Sequence, residues 1–275
     1  MTRTAIIAGR GGLPALLAAR LAADGAPFVL AEMERFPADV PGVPDRLRFR
    51  LERLVPFLDA LAQDGVQRVV LAGAVNRPRI EPELFDARTA QLVPVMLSAM
   101  QKGDDGALRA LIGIFEDWNF EVVGADAIAP ELVPGEGVLA GTMTPQDKAD
   151  ATRAAAIVDA LGAVDVGQGA VVARGQCLGA EALPGTDAML AAVAAWRGLQ
   201  ERRSGLLYKA PKPGQDRRAD LPVIGPATVA GAAAAGLSGI AWEAGGLMIL
   251  DRAATVAAAD AAGLFLWSRP KDPRP

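Results

Sequence analysis

No histidine occurs anywhere in the 275 residues of this chain. That absence removes the Ser-His-Asp triad, the imidazole general base and every histidine-built zinc centre, the dinuclear sites of His-rich metallophosphoesterases included. Cysteine is almost as scarce: Cys177 stands alone, so no intrachain disulfide forms, which suits a reducing compartment. Its surroundings, Arg174-Gly175-Gln176-Cys177-Leu178-Gly179, read as a hairpin turn, and with no imidazole to activate the thiol a catalytic cysteine is not expected. No segment reads Gly, four residues, Gly-Lys-Ser/Thr, so a P-loop NTPase is not expected either. An excess of one charge sign is also missing. The formal net charge is −4, which gives no broad basic face, and nucleic acid is not an expected partner. Long hydrophobic runs are lacking too. Ala5 to Ala8 is too short for the core of a signal peptide. Leu221 to Trp242 carries no charge, but Pro222, Pro226, Gly225, Gly231, Gly236 and Gly239 interrupt it. A membrane span needs about 20 strongly apolar residues, so this stretch reads as a buried helix followed by a buried strand, and a cytoplasmic location is expected.

What is present is a large supply of small aliphatic side chains. Hydrophobic residues make up 51% and aromatics only 5%, so the core is expected to be Ala, Leu and Val on helices and buried strands. Strand-like runs at Thr4–Ala8, Phe28–Ala31, Gln67–Ala72 and Phe120–Gly124 alternate with helical stretches. The helices are an Ala/Leu-rich one ending at Asp24-Gly25, then Glu52–Asp64, Thr89–Lys102 and Asp105–Trp118. Such alternation predicts a Rossmann-like α/β domain with a parallel sheet. The Pro- and Gly-containing stretch 130–137 reads as a linker between a domain at 1–129 and a second at 138–275. The second half changes rhythm: a helix over Pro145–Leu161, a hairpin of Ala170–Ala173 with Gln176–Ala182, a helix over Asp187–Arg197, and a strand at Leu206–Lys209. Helix and strand then alternate to a tail, Ser268–Pro275, expected to fray. The hairpin implies a mixed sheet here.

Gly9-Arg10-Gly11-Gly12-Leu13-Pro14 lies between the first strand and first helix, where backbone N–H groups face an anion in phosphate-binding folds. Glu32, at the end of the second strand, mimics the ribose-binding acid of a dinucleotide fold. Pro14, however, stands where that fingerprint wants a small residue, so a nicotinamide or flavin oxidoreductase is a minor reading, a tight turn with no ligand a larger one, and a phosphate- or nucleotide-bearing ligand touching this loop the main expectation.

The second half holds the most informative segment, Tyr208-Lys209-Ala210-Pro211-Lys212-Pro213-Gly214-Gln215-Asp216-Arg217-Arg218-Ala219-Asp220-Leu221-Pro222-Val223-Ile224-Gly225. Cations beside carboxylates at the exit of a buried strand suit a polyanionic substrate: Lys and Arg neutralise phosphate oxygens, and a carboxylate holds Mg²⁺ or orients water. The alternative is a solvated loop with incidental ion pairs worth about 0–1 kcal/mol each. Other acidic residues lie in the same half. They are Glu181 and Asp187 within Glu181-Ala182-Leu183-Pro184-Gly185-Thr186-Asp187, where Thr186 or Asp187 caps a helix or serves a site, and Glu243 and Asp251, each paired or at a site.

Together these segments resemble the LpxI-type UDP-2,3-diacylglucosamine pyrophosphatases of lipid A biosynthesis. The carriers are Ala8 to Pro14, Arg174-Gly175-Gln176, Glu181 to Met189, Lys209 to Gly225, Glu243-Ala244-Gly245-Gly246 and Asp251-Arg252. One departure is Arg10, where the family loop is expected to carry glycine. The resemblance implies two linked domains and hydrolysis of UDP-2,3-diacylglucosamine to UMP and lipid X with Mg²⁺ or Mn²⁺. It also implies an essential aspartate falling on Asp220, as catalytic residue and metal ligand. Substrate contacts are then expected from Gly11, Gly12, Leu13, Thr186, Asp187, Lys209, Lys212, Gln215, Arg217 and Arg218. A diacylated substrate implies an apolar groove and peripheral contact with the inner membrane, and the family suggests a homodimer. A non-catalytic nucleotide- or lipid-binding carrier is the rival from another class.

Overall fold

The computed structural model describes residues 2–75, 79–100, 103–197 and 203–271. Its elements fall into two units, Met1–Pro130 and Glu131–Pro275.

The first unit runs β1 (Arg3–Ala8), α1 (Leu13–Ala23), β2 (Phe28–Met33), β3 (Arg46–Phe49), α2 (Leu54–Gln63), β4 (Val66–Ala72), α3 (Val93–Met100), α4 (Gly103–Asp117) and β5 (Glu121–Val123). Its sheet has the order β3-β2-β1-β4-β5 with every neighbouring pair parallel. The Rossmann-like reading holds. β1 is central, so Ala5 and Ile6 are fully buried, the reason its apolar run is continuous and not alternating. Pro14 sits in the first turn of α1, where its missing N–H costs nothing, and Leu13, Leu17, Ala18 and Leu21 form the buried face. The strand order reverses between β1 and β4, which makes their carboxyl ends the switch point of this sheet.

Three departures from expectation occur here. β3 lies outside the expected strands, because Arg46-Leu47-Arg48-Phe49 follows a proline-rich stretch and carries two arginines. Those arginines bind Glu32 of the neighbouring strand. The helix expected from Glu52 opens as a short 3₁₀ turn, Leu51–Arg53, before α2. The stretch expected over Thr89–Lys102 is a 3₁₀ turn, Thr89–Leu92, followed by α3, and residues 101–102 lie outside the described residues.

The second unit runs β6 (Gly137–Ala140), α5 (Pro145–Ala163), β7 (Gly169–Ala173), β8 (Gln176–Ala180), α6 (Gly185–Arg197), β9 (Leu206–Lys209), β10 (Val223–Ile224), α7 (Pro226–Ala234), β11 (Gly239–Glu243), β12 (Met248–Ile249), α8 (Arg252–Ala262) and β13 (Phe265–Arg269). Six strands form a mixed sheet, β6-β13-β11-β9-β7-β8. β9, β11 and β13 are parallel, while β6, β7 and β8 join antiparallel. β10 and β12 form a small parallel pair of their own. In α5, Thr144 and Asp147 make a reciprocal capping box that fixes the helix start. The β7–β8 turn places Arg174 and Gly175 at positive φ, as a two-residue hairpin demands.

Apolar side chains fill both faces of this sheet. On one, Ala151, Ala154 and Val158 of α5 pack on Ala170, Val172, Leu206 and Tyr208. On the other, Leu190, Val193, Val229 and Ala259 cover Val171, Leu207, Ile240 and Trp242. Strand alternation therefore puts Tyr208 toward α5 and Lys209 toward α6. In the stretch read as a linker, Pro130–Leu132 makes one helical turn and Gly137 already opens β6. Ser268 and Arg269, expected to fray, are instead the buried end of β13, because that strand is flanked by β11 and β6. Residues 272–275 lie outside the described residues. The uncharged stretch from Leu221 is β10, α7 and β11, and no described helix is long and apolar enough to cross a membrane.

Candidate active site

Lys209 ends β9, a strand buried in mid-sheet between β11 and β7, opposite Trp242 and Gly169. It is only 4% exposed, and a buried ammonium persists only with partners. Lys209 Nζ donates to Thr186 Oγ1 at 2.7 Å. The Thr186 hydroxyl donates in turn to Glu181 Oε2 at 3.0 Å, and that oxygen lies 3.7 Å from Lys209 Nζ. Thr186 and Asp187 occupy the first turn of α6, and Thr186 belongs to this chain of bonds. Burial pulls the Lys209 ammonium below its ordinary 10.5, while the charges of Glu181, Asp187 and Asp220 resist the fall. All three carboxylates thus act on one buried cation.

The loop after β9 is closed by its own side chains. Gln215, also buried, accepts from the Lys212 backbone N–H at 2.8 Å through Oε1. Its Nε2 donates to the Asp220 carbonyl at 2.6 Å and to Asp220 Oδ2 at 2.8 Å. One amide therefore ties both ends of the loop and orients the exposed Asp220 carboxylate. Lys212 pairs with Asp165 just beyond α5, Arg218 chelates Asp216, and Arg217 reaches Glu243 at the end of β11. Glu243 also lies 3.5 Å from Lys271. Glu243 is therefore an ion-pair partner. Asp251 caps α8 by accepting from the Ala254 N–H.

Thr186, Asp187, Lys209, Lys212, Gln215, Arg217, Arg218 and Asp220 all belong to the second unit, and the first, second, third and last of these share one electrostatic neighbourhood. Gly11, Gly12 and Leu13 belong to the first. Gly11 and Gly12 are exposed with open space where a Cβ would be, and Leu13 starts α1 with its side chain buried. Gly9 differs from both, since a Cβ there would lie 2.6 Å from the Ala74 carbonyl oxygen. The chain after β1 crosses the chain after β4 at that point, fixed by reciprocal Arg10–Ala74 backbone bonds of 2.9 Å. Glu32 accepts from Arg46, Arg48 and the Ala38 N–H, so it is fully engaged within its own unit. Asp165, the partner of Lys212, escaped the sequence reading. Its sequence signal is slight, a polar residue between two valines in Val164-Asp165-Val166-Gly167, and its positive φ shows only in the structure.

Fold and site together define a two-domain α/β protein, Rossmann-like in its first half, with a lysine–carboxylate cluster under a pinned loop in its second. Comparison gives the family. Residues 3–132 match the LpxI N-terminal domain and residues 135–267 the LpxI C-terminal domain. The chain is also 39% identical over 288 aligned positions, covering all of both chains, to the UDP-2,3-diacylglucosamine pyrophosphatase LpxI of Caulobacter vibrioides. The chain belongs to the LpxI family.

Proposed function

We propose that this chain hydrolyses the pyrophosphate bond of UDP-2,3-diacylglucosamine, releasing UMP and 2,3-diacylglucosamine 1-phosphate. The observation that carries the reading is full-length similarity to a pyrophosphatase of that name. The buried Lys209, the loop cations and the exposed Asp220 supply the chemistry such a bond needs in a chain with no histidine.

Among the described residues, no three acidic or cysteine side chains gather as a metal-binding group. Asp220 as an exposed carboxylate donor fits Mg²⁺ or Mn²⁺ better than an ion needing a protein cage, because Mg²⁺ keeps waters and takes phosphate oxygens as ligands. When bound, such an ion would withdraw charge from the diphosphate. The protein's own part is separate. Lys209 places a desolvated positive charge against phosphoryl oxygens, where it acts more strongly than in water. Asp220, aimed by Gln215, orients the attacking water or holds the cation. Lys212, Arg217 and Arg218 are already balanced by Asp165, Glu243 and Asp216, so binding a diphosphate exchanges partners and adds no bare charge. A diacylated substrate brings the protein to the surface of the inner membrane, without spanning it.

The test is incubation of purified protein with UDP-2,3-diacylglucosamine and Mg²⁺, with products separated by chromatography. UMP and the sugar phosphate are expected in equal amounts. A chelator should stop their appearance and added Mg²⁺ or Mn²⁺ should restore it. Tight binding with no UMP would point to the carrier instead.

A further inference from the structure

Glu181 is buried, and three features converge on one of its oxygens. Oε2 accepts the Thr186 hydroxyl at 3.0 Å and stands 3.7 Å from the Lys209 ammonium. It also occupies the space above Gly169: a Cβ on that glycine would lie 2.3 Å from the same oxygen. Gly169 is the antiparallel partner of Lys209 across β7 and β9. The neighbouring Gly167 is similarly confined, since a Cβ there would meet the Glu181 carbonyl oxygen at 2.0 Å. Two glycines therefore line this cluster, Gly169 because the Glu181 carboxylate fills the volume a side chain would take and Gly167 because the Glu181 backbone does.

We infer that Glu181 is a positioning residue, which aims the Lys209 ammonium at the diphosphate through Thr186, and that Gly169 is glycine to seat its carboxylate. The inference rests on the pyrophosphatase reading and deepens it. A lysine has three N–H donors on a freely rotating end, and a useful electrostatic contact needs one fixed in direction. Thr186 takes one donor, and Glu181 both orients Thr186 and stands 3.7 Å from the same ammonium, so the end of Lys209 is held by two partners instead of turning freely. Without Glu181 the ammonium still attracts a diphosphate. What is lost is alignment with the charge that builds as the anhydride breaks, a loss felt in turnover more than in binding.

The experiment is steady-state UMP release by wild type, Glu181→Gln, Gly169→Ala and the double variant, with thermal unfolding of each. For Glu181→Gln, kcat should fall about 10–100-fold while KM stays within about threefold. Gly169→Ala, which alters no group that meets substrate, should lower kcat in the same sense by pushing Oε2 aside. The double variant should be no slower than the slower single one, since both act through one carboxylate. If Glu181→Gln fails to fold, Gly169→Ala carries the test alone. Unchanged kcat in folded variants, or a change confined to KM, overturns the relay and leaves the pyrophosphatase standing. An inactive wild type overturns both.

Discussion

Each half of the chain buries a glutamate among cations, and the two are used differently. Glu32 is 2% exposed and receives Arg46, Arg48 and the Ala38 N–H at 3.0–3.2 Å. Every donor belongs to the β2–β3 edge, and both guanidiniums run outward to solvent or to further backbone carbonyls. Glu181 is 8% exposed and faces its cation, Lys209, at the longer distance of 3.7 Å, with the Thr186 hydroxyl bridging the two. The first carboxylate is saturated; the second leaves its cation under the influence of two further carboxylates. A saturated buried pair stabilises an edge strand, while a partly satisfied one keeps a charge available for something not yet bound.

The largest effect that sharpens this contrast is expected at the structural end of the first unit. Gly9→Ala forces a methyl group into the Ala74 backbone and should cost about 3 kcal/mol in denaturant unfolding, whereas Gly12→Ala, in open space with helical backbone angles, should leave stability almost unchanged. A smaller loss is expected for Glu32→Gln, about 2–3 kcal/mol near neutral pH, with kcat unchanged. Burial alone would raise the Glu32 carboxyl, but the Ala38 N–H, Arg46 and Arg48 outweigh it and hold it below its ordinary 4.5. Its contribution is therefore present above that value and lost as pH falls through the lower folded value, so the gap between wild type and variant should close in acid. A Glu32→Gln protein that is stable but slow would break the comparison.

The third test reads the sheet beneath Lys209. Tyr208, the only tyrosine, faces α5, and burial pushes its phenol from 10.0 up to about 12. An ultraviolet titration should show no phenolate until well above pH 10. Because the unfolded chain releases that proton earlier, stability should decline as pH rises above 10. Ionisation near 10 in the folded protein would mean the β9 core is wetter than described.

Much of this was legible in advance where a local rule and the tertiary environment agree. The run Thr4–Ala8, the Pro145 helix start and the Arg174-Gly175 turn each follow from backbone preferences that packing reinforces. β3 and β6 were not legible, since four residues carry little periodicity and Arg46 and Arg48 look like surface until Glu32 is placed beside them. Ser268 and Arg269 read as tail because burial by flanking strands is a non-local fact. In the candidate site, residue types and order pointed to the loop and its cations. Which cation each carboxylate holds, and that Gly169 seats Glu181, depended on register between strands far apart in sequence.

Asp220 provides the most direct test of the pyrophosphatase account. Asp220→Asn keeps the side chain's size and a hydrogen-bonding oxygen for Gln215, but removes the negative charge. Turnover of UDP-2,3-diacylglucosamine should fall by about 10³-fold or more, while the melting temperature and substrate affinity stay close to those of wild type. A folded variant that releases UMP at the wild-type rate would contradict the account.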